Sequence, residues 1–193
     1  MIDSPFATKP TLRGDRVVLR PPTADDAPAL LELLCDPEIC RLTGTRHTVE
    51  PTVDSLAEWY TTRADHDDRL DLAIVEKVGG AYVGEAVLNE FRAADEACNF
   101  RIMVGGPGAY GNGYGTEATR LILAYAIEQA GLHRVDLEVY AFNPRARHVY
   151  EKVGFVYEGT KRDALRWDGQ WVDAHVMSIL ADEWTKHRGR PAL

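Results

Sequence analysis

Six glycines and one proline crowd the eleven residues Gly105–Gly115 (GGPGAYGNGYG), and a helical pattern starts directly behind them. Ala118, Leu121, Ile122 and Tyr125 fall at helical spacing and give one apolar face. A strand, a glycine turn and a helix start make an anion site. Glycine lets the backbone approach a phosphate closely, and the first-turn N–H groups have no partner within the helix. The helix dipole adds roughly 0.3–1 kcal/mol for a nearby negative charge. Three ligands compete for such a loop. A nucleoside triphosphate loop would continue as Gly-Lys-Ser/Thr, and nothing of that kind follows. A dinucleotide has Gly113, Gly115 and Ala118 in its favour as G-x-G-x-x-A, with Asp136 further on. The chain after Ala118 is too short for two mononucleotide halves, however, and hairpins rather than βαβ units precede the loop. The third ligand is the pyrophosphate of coenzyme A.

A second patch follows. Residues 133–140 (HRVDLEVY) alternate, with Val135, Leu137 and Val139 on one side and Asp136, Glu138 and Tyr140 on the other. A strand buried on both faces is apolar on both, so the carboxylate side borders a cleft. Asn143 then caps a helix with Pro144 at its first position. Ala146, Val149, Tyr150 and Val153 form the apolar stripe of that helix, and Gly154 closes it.

The elements that must hold these patches are readable around them. Arg16–Arg20 (RVVLR) predicts a first strand. Thr23, Asp25 and Asp26 open a helix with Leu30, Leu31, Leu33 and Leu34 on its buried face, and Asp36-Pro37 is read as its stop. A second helix is expected from Asp54 to about His66. DLAIVEK (71–77) and AYVGEAVLNEF (81–91) flank Gly79-Gly80 as an antiparallel hairpin, and ACNFRIMV (97–104) is a further strand. FVYEGTKRD and WVDAHVMSIL flank Asp168-Gly169, a hairpin turn signal, and the polar tail from Asp182 is expected to fray. The order β-α-α-β-β-β-α-β-α-β-β predicts an α+β fold: a mixed, mostly antiparallel sheet with helices on both faces. One domain is expected over 11–184, with flexible termini at 1–10 and 185–193.

Composition bounds the rest. The 193 residues suit one domain, and 45% apolar with 27% charged residues excludes global disorder. A net charge of -8 argues against nonspecific nucleic-acid binding, which depends on neutralising phosphates. No apolar run approaches the roughly 20 residues of a membrane span, and MIDSPFATKP lacks the pattern of a secretory signal, so a cytoplasmic place is expected. Cys35, Cys40 and Cys98 have neither disulfide nor zinc spacing, and the six histidines form no metal motif, so no metal is expected.

Tyr110-Gly-Asn-Gly113-Tyr-Gly115-Thr-Glu-Ala118 resembles the acyl-CoA loop of the GNAT superfamily of N-acyltransferases, Gln/Arg-x-x-Gly-x-Gly/Ala, with Tyr110 standing at the family's first position. Asn143-Pro-Arg-Ala146-Arg-His-Val-Tyr150-Glu-Lys-Val-Gly154-Phe155 is similar to its second signature, N-x-x-A-x-x-x-Y-E-K-x-G-F. The opening (12–20, then 23–37) and Glu158-Gly-Thr with Asp168-Gly-Gln-Trp-Val-Asp173 resemble the branch that acetylates ribosomal-protein N-termini. The similarity covers roughly residues 11–184.

The resemblance implies transfer of an acetyl or other short acyl group from coenzyme A to a primary amine by direct attack in a ternary complex. Acetyl-CoA or another acyl-CoA is then the co-substrate. It implies that Tyr110, Gly111, Asn112, Gly113, Tyr114, Gly115 and Thr116 cradle the diphosphate. Asn143 would touch the pantetheine arm. Arg147, where many relatives of the ribosomal branch have Ser, would pair with a coenzyme phosphate. A main-chain N–H at Met103 or Val104 would receive the oxyanion. Glu138 matches the general base, acting through water, with Glu85 and Glu90 as rivals from the neighbouring hairpin. Tyr150 matches the general acid, since a phenol with a pKa of about 10 can protonate a thiolate without ionising at rest. The acceptor would be a small-molecule amine or a protein N-terminal amine, with neither nucleic acid nor membrane as partner, and a homodimer is a family expectation. The alternatives are a noncatalytic acyl-CoA sensor and a dinucleotide-binding oxidoreductase.

Overall fold

Turn chemistry sets the strand pairing. The computed structural model describes residues 4–106 and 108–188. Its strands are β1 (Leu12–Arg13), β2 (Val17–Arg20), β3 (Leu70–Glu76), β4 (Tyr82–Arg92), β5 (Ala97–Val104), β6 (Arg134–Tyr140), β7 (Val156–Trp167) and β8 (Gln170–Leu180). They form one sheet in the order β1-β2-β3-β4-β5-β6-β8-β7. Every pairing is antiparallel except β5 with β6. The hairpin read at Gly79-Gly80 joins β3 to β4, and that at Asp168-Gly169 joins β7 to β8. The mixed, mostly antiparallel sheet with helices on both faces is therefore as the sequence predicts.

Strand alternation gives the two faces different tasks. Leu70, Leu72 and Ile74 of β3, Ala86 and Leu88 of β4, Cys98 and Phe100 of β5, and Val135, Leu137 and Val139 of β6 share the main core. Helices α4 (Tyr114–Ala124) and α5 (Pro144–Val153) pack there through Ala118, Ile122, Leu123, Tyr150 and Val153. The opposite face carries α1 (Ala27–Leu34) and α3 (Val53–Arg63), whose Ala27, Leu30, Leu56 and Tyr60 pack with Tyr82 and Met103.

Three expectations are corrected. Asp36-Pro37 does end α1, but it also begins α2 (Pro37–Thr43): Pro37 takes the first helical position, and Asp36 Oδ1 accepts from the N–H groups of Glu38 at 2.8 Å and Ile39 at 3.3 Å. The same dipeptide serves as stop and start because its fixed φ and short carboxylate suit a helix entry. Replacing Asp36 by Ala is expected to cost about 1 kcal/mol and lower the melting temperature by roughly 2–4 °C; a thermal melt checks it. The N-terminal segment is packed rather than free. Phe6 is fully buried, edge-on to Phe91 at 5.5 Å, and Tyr125 Oη donates to Pro5 O at 2.8 Å. The tail from Asp182 belongs to helix α6 (Ala181–His187), where buried Trp184 donates from Nε1 to Glu128 at 2.7 Å. The remaining terminal residues, 1–3 and 189–193, lie outside the described residues, as does Pro107 in the glycine loop.

Candidate active site

The parallel pair β5–β6 is short. It holds only Ala97 with Arg134, Cys98 with Val135 and Asn99 with Asp136. From Phe100 to Val104 and from Leu137 to Tyr140 the two strands are unpaired with each other and leave a gap in the sheet. Each wall keeps its other neighbour: β5 stays paired to β4 through Val104, and β6 to β8 through Tyr140. The gap therefore has rigid sides.

Strand polarity decides which amides face it. Gly105 N–H donates to Val83 O of the β4 side at 3.0 Å. A strand residue aims its N–H and C=O to one side, and its neighbours aim theirs to the other. Met103 therefore turns towards β4; its carbonyl lies where a Cβ on Gly84 would stand. Val104 turns the other way, with its N–H towards the gap. Of the two amides that the sequence left open, only Val104's meets the gap.

Helix α4 starts beside this opening. Gly113, at φ +77°, is its N-cap and offers no side chain, so an anion can approach the helix end directly. The first helical bond runs from Glu117 N–H to Gly113 O at 3.0 Å. Among the described residues the N–H groups of Tyr114, Gly115 and Thr116 have no acceptor. The end is fixed from outside: the Glu117 carboxylate accepts from the N–H groups of Asp15, Arg16 and Val17 at 2.8–2.9 Å. Two cations border the loop. Arg16 Nη1 donates to Asn112 O at 3.2 Å, and Arg145 lies over the Tyr110 ring with its Cζ 4.0 Å from the centroid. Neither is marked by local spacing, since both reach the loop from distant parts of the chain. Gly111 and Asn112 are exposed, Thr116 is buried, and Tyr114 Oη donates to Glu76 at 2.8 Å.

The other expected residues divide into those the fold brings to the gap and those it employs elsewhere. Tyr150 is 7% exposed and packs its ring edge-on against Phe100 and Phe155 at 6.3 and 5.7 Å. Phe100 is the first β5 residue past the paired stretch, so Tyr150 sits where the gap opens. Its hydroxyl has no hydrogen-bond partner among the described residues, yet it is not among the fully sealed polar atoms. Burial pushes its pKa up, so the phenol stays protonated at neutral pH. Asn143 Oδ1 caps α5 by accepting from Ala146 N–H at 3.1 Å, and its Nδ2 donates to Leu42 O at 3.4 Å. Arg147 turns along its own helix to Glu151, with Nε–Oε1 at 2.9 Å. Glu138 is exposed on β6 and ion-paired to Lys161 of β7. Glu90 is exposed at a bulge of β4. Glu85, half-buried on β4 opposite Met103, accepts from Tyr60 Oη at 2.6 Å.

Helix α2 bridges the wide end of the gap. On the β5 side, Ile39 of α2 packs its side-chain end into the space a Cβ on Gly105 would take, so the glycine lets α2 lie close here. On the β6 side, Gly44 at the end of α2 abuts the Tyr140 ring, and Arg41 stacks on Phe142 at 4.9 Å. Between α2 and the β7–β8 turn lies an open groove of about 410 Å³, lined by Pro37, Glu38, Arg41, Trp167 and Asp168.

A sheet parted beside a glycine-capped helix N-terminus is the arrangement that the resemblance to the acyl-coenzyme A transferases implies. Comparison with known proteins agrees: residues 16–156 match the family model of the acetyltransferase (GNAT) domain, and the chain belongs to that family. It is 29% identical over 131 residues to a spermidine N(1)-acetyltransferase of Vibrio cholerae, covering 68% of this chain and 75% of that one. It is 28% identical over 100 residues to the ribosomal protein uS5-alanine N-acetyltransferase of Escherichia coli, covering 52% of this chain and 51% of that one. The crystal structure of the Vibrio cholerae spermidine N-acetyltransferase with CoA and spermine superposes with a TM-score of 0.80 at 23% identity, over 89% of this chain and 99% of that one. The protein is an acetyltransferase that moves an acyl group from coenzyme A to an amine.

Proposed function

We propose that the chain N-acetylates a primary amine by direct attack within a ternary complex, at the gap between β5 and β6. The observation that carries this reading is the parting of the two strands beside the unpartnered N–H groups of Tyr114, Gly115 and Thr116. Those amides, with the backbone of 110–113, receive the donor's diphosphate, and Arg16 and Arg145 add positive charge at its rim. Arg147, engaged with Glu151, has no part in this reading. The pantetheine arm runs along the gap past Asn143. Val104 N–H donates to the developing oxyanion, the kind of preorganised donor that contributes most to acyl transfer. Tyr150, at the narrow end of the gap, protonates the departing thiolate.

The acceptor comes from the α1–α3 face, because α4 and the donor's diphosphate occupy the other. The α2 groove and the β7–β8 turn shape its approach. The reaction is placed in the cytoplasm, in keeping with three free thiols at Cys35, Cys40 and Cys98.

Thiol release from acetyl-CoA, measured with a panel containing spermidine, putrescine and an alanine-initiated peptide, tests the reading. Release is expected only with an amine present, and initial-rate lines for varied donor and acceptor are expected to intersect. Parallel lines would mean an acyl-enzyme and would overturn direct attack.

A further inference from the structure

The carboxylates on the α1–α3 side of the sheet are mostly neutralised from within. Asp26 pairs with Arg20, Asp71 with Arg69, Asp136 with Arg92 and Arg134, and Glu138 with Lys161. Glu90 lies in the field of the same Lys161. Glu85 differs. It has no ion pair among the described residues. Its Oε1 accepts from Tyr60 Oη at 2.6 Å, and Tyr60 Oη in turn meets Tyr82 Oη at 2.8 Å. Its Oε2 has no partner among the described residues and is not sealed from solvent. One carboxylate oxygen is thus anchored by a buried phenol, and the other is open.

Its place in the sheet matters as much. Glu85 faces the same side as Met103, its register partner, and Met103 precedes Val104, whose N–H faces the gap. An amine reaching the gap from the α1–α3 side meets this free oxygen one strand in from the opening. Glu138 stands on the far wall, where an incoming ammonium must compete with the Lys161 ammonium for the carboxylate.

We propose that Glu85 is the base that takes the proton from the acceptor's ammonium, on the reading that the β5–β6 gap is the reacting centre. A proton passes from the ammonium nitrogen to Glu85 Oε2, leaving a neutral amine. Its lone pair forms the N–C bond at the thioester carbon. The C–S bond breaks with its electrons on sulfur, Tyr150 supplies the proton that sulfur takes up, and the second proton shed by the acylated nitrogen passes through solvent to restore the Tyr150 phenol. The charged surroundings suit the task. Burial pushes the Glu85 carboxyl up to about 7 against the opposing hydrogen bond from Tyr60; Asp71 adds to the rise, and Arg69 and Arg101 resist it. A base poised near the working pH is the efficient one. Because the carboxylate form is the active one, the rate rises as pH climbs through about 7.

The test is kcat/KM against pH with acetyl-CoA and the fastest amine of the panel above. The wild type is expected to lose rate on the acid side with a midpoint near 7. Glu85→Gln is expected to abolish that limb and lower kcat/KM about tenfold at pH 7.5, with coenzyme A affinity unchanged. Tyr60→Phe keeps the ring in its packing but removes the hydrogen bond that favours the ionised carboxyl, so the limb should move to higher pH. A Glu85→Gln enzyme with the wild-type limb overturns the inference, as does loss of the limb in Glu138→Gln alone. Should Glu85→Gln not fold, an unmoved limb in Tyr60→Phe overturns it. Failure of the gap reading would show separately, as wild-type protein that neither binds coenzyme A nor releases thiol.

Discussion

Replacing Gly113 by Asp weakens coenzyme A binding at least a hundredfold and leaves the protein folded. Gly113 caps α4 at φ +77°, and the three free amides that follow it are the proposed seat of the diphosphate. Unit charges about 4 Å apart at an effective dielectric of about 20 repel by about 4 kcal/mol, the scale set by a carboxylate brought up against a phosphate. Arg16 offsets part of this, because its guanidinium occupies the space a Cβ would enter and would pair with the new carboxylate. Even half of the repulsion corresponds to more than tenfold, and the loss of close backbone approach adds to it. Gly113→Ala separates the two causes. It brings the backbone cost of roughly 1–2 kcal/mol for a left-handed residue but no charge. Calorimetric titration of coenzyme A into both variants should give a much larger loss for Asp than for Ala. Wild-type affinity in Gly113→Asp would move the donor's diphosphate away from this loop.

The parts of the site that the sequence discloses are local ones. The glycine loop and the Asn143-Pro144 cap can be read because one backbone conformation demands those residue types within a few positions. Strands β4 and β6 can be read because alternation survives where one face is less buried, β3, buried on both faces, is marked by its Gly79-Gly80 turn, and the carboxylates of β6 announced the cleft beside them. The gap itself leaves no such trace. Phe100–Val104 looks like any buried strand, and only the register of β5 against β6 shows that pairing stops at Asn99. Choosing Val104 over Met103 needed the hydrogen-bond phase set by Gly105 and Val83, a contact between separate strands.

Long-range contacts explain what was missed. Arg16 and Arg145 reach the loop from the turn before β2 and from α5, so no spacing rule connects them to it. Helix α2 was hidden because Asp36-Pro37 signals a stop and a start equally well, and its apolar contacts, Ile39 with Gly105 and Gly44 with Tyr140, lie far apart in the chain. Phe6 and Trp184 are single apolar residues in polar termini. Their burial depends on docking against Phe91 and Glu128 rather than on any local pattern. Glu85 was one of three carboxylates until the fold set it against Tyr60 and gave Lys161 to Glu138.

Tyr150→Phe should lower kcat by about ten- to hundredfold while coenzyme A affinity stays within about twofold of wild type. The ring fills the space between Phe100, Phe155 and the α5 stripe, and Phe keeps all of it. Only the hydroxyl is lost, and it has no hydrogen-bond partner among the described residues, so no buried group is orphaned and the fold should not weaken. Its pKa, raised by burial, rules it out as a resting anion and leaves donation as its chemistry. General acids contribute about 10²–10⁴-fold. The effect here falls at or just below the low end of that span, because a thiol with a pKa of about 8.5 is already a fair leaving group. A hydroxyl that acts only as the C–S bond breaks stabilises the transition state and not the bound substrates. On that ground kcat and kcat/KM should fall by the same factor. A rise in KM with kcat unchanged would make Tyr150 a binding residue, and unchanged kinetics would return it to the core as a packing residue and nothing more.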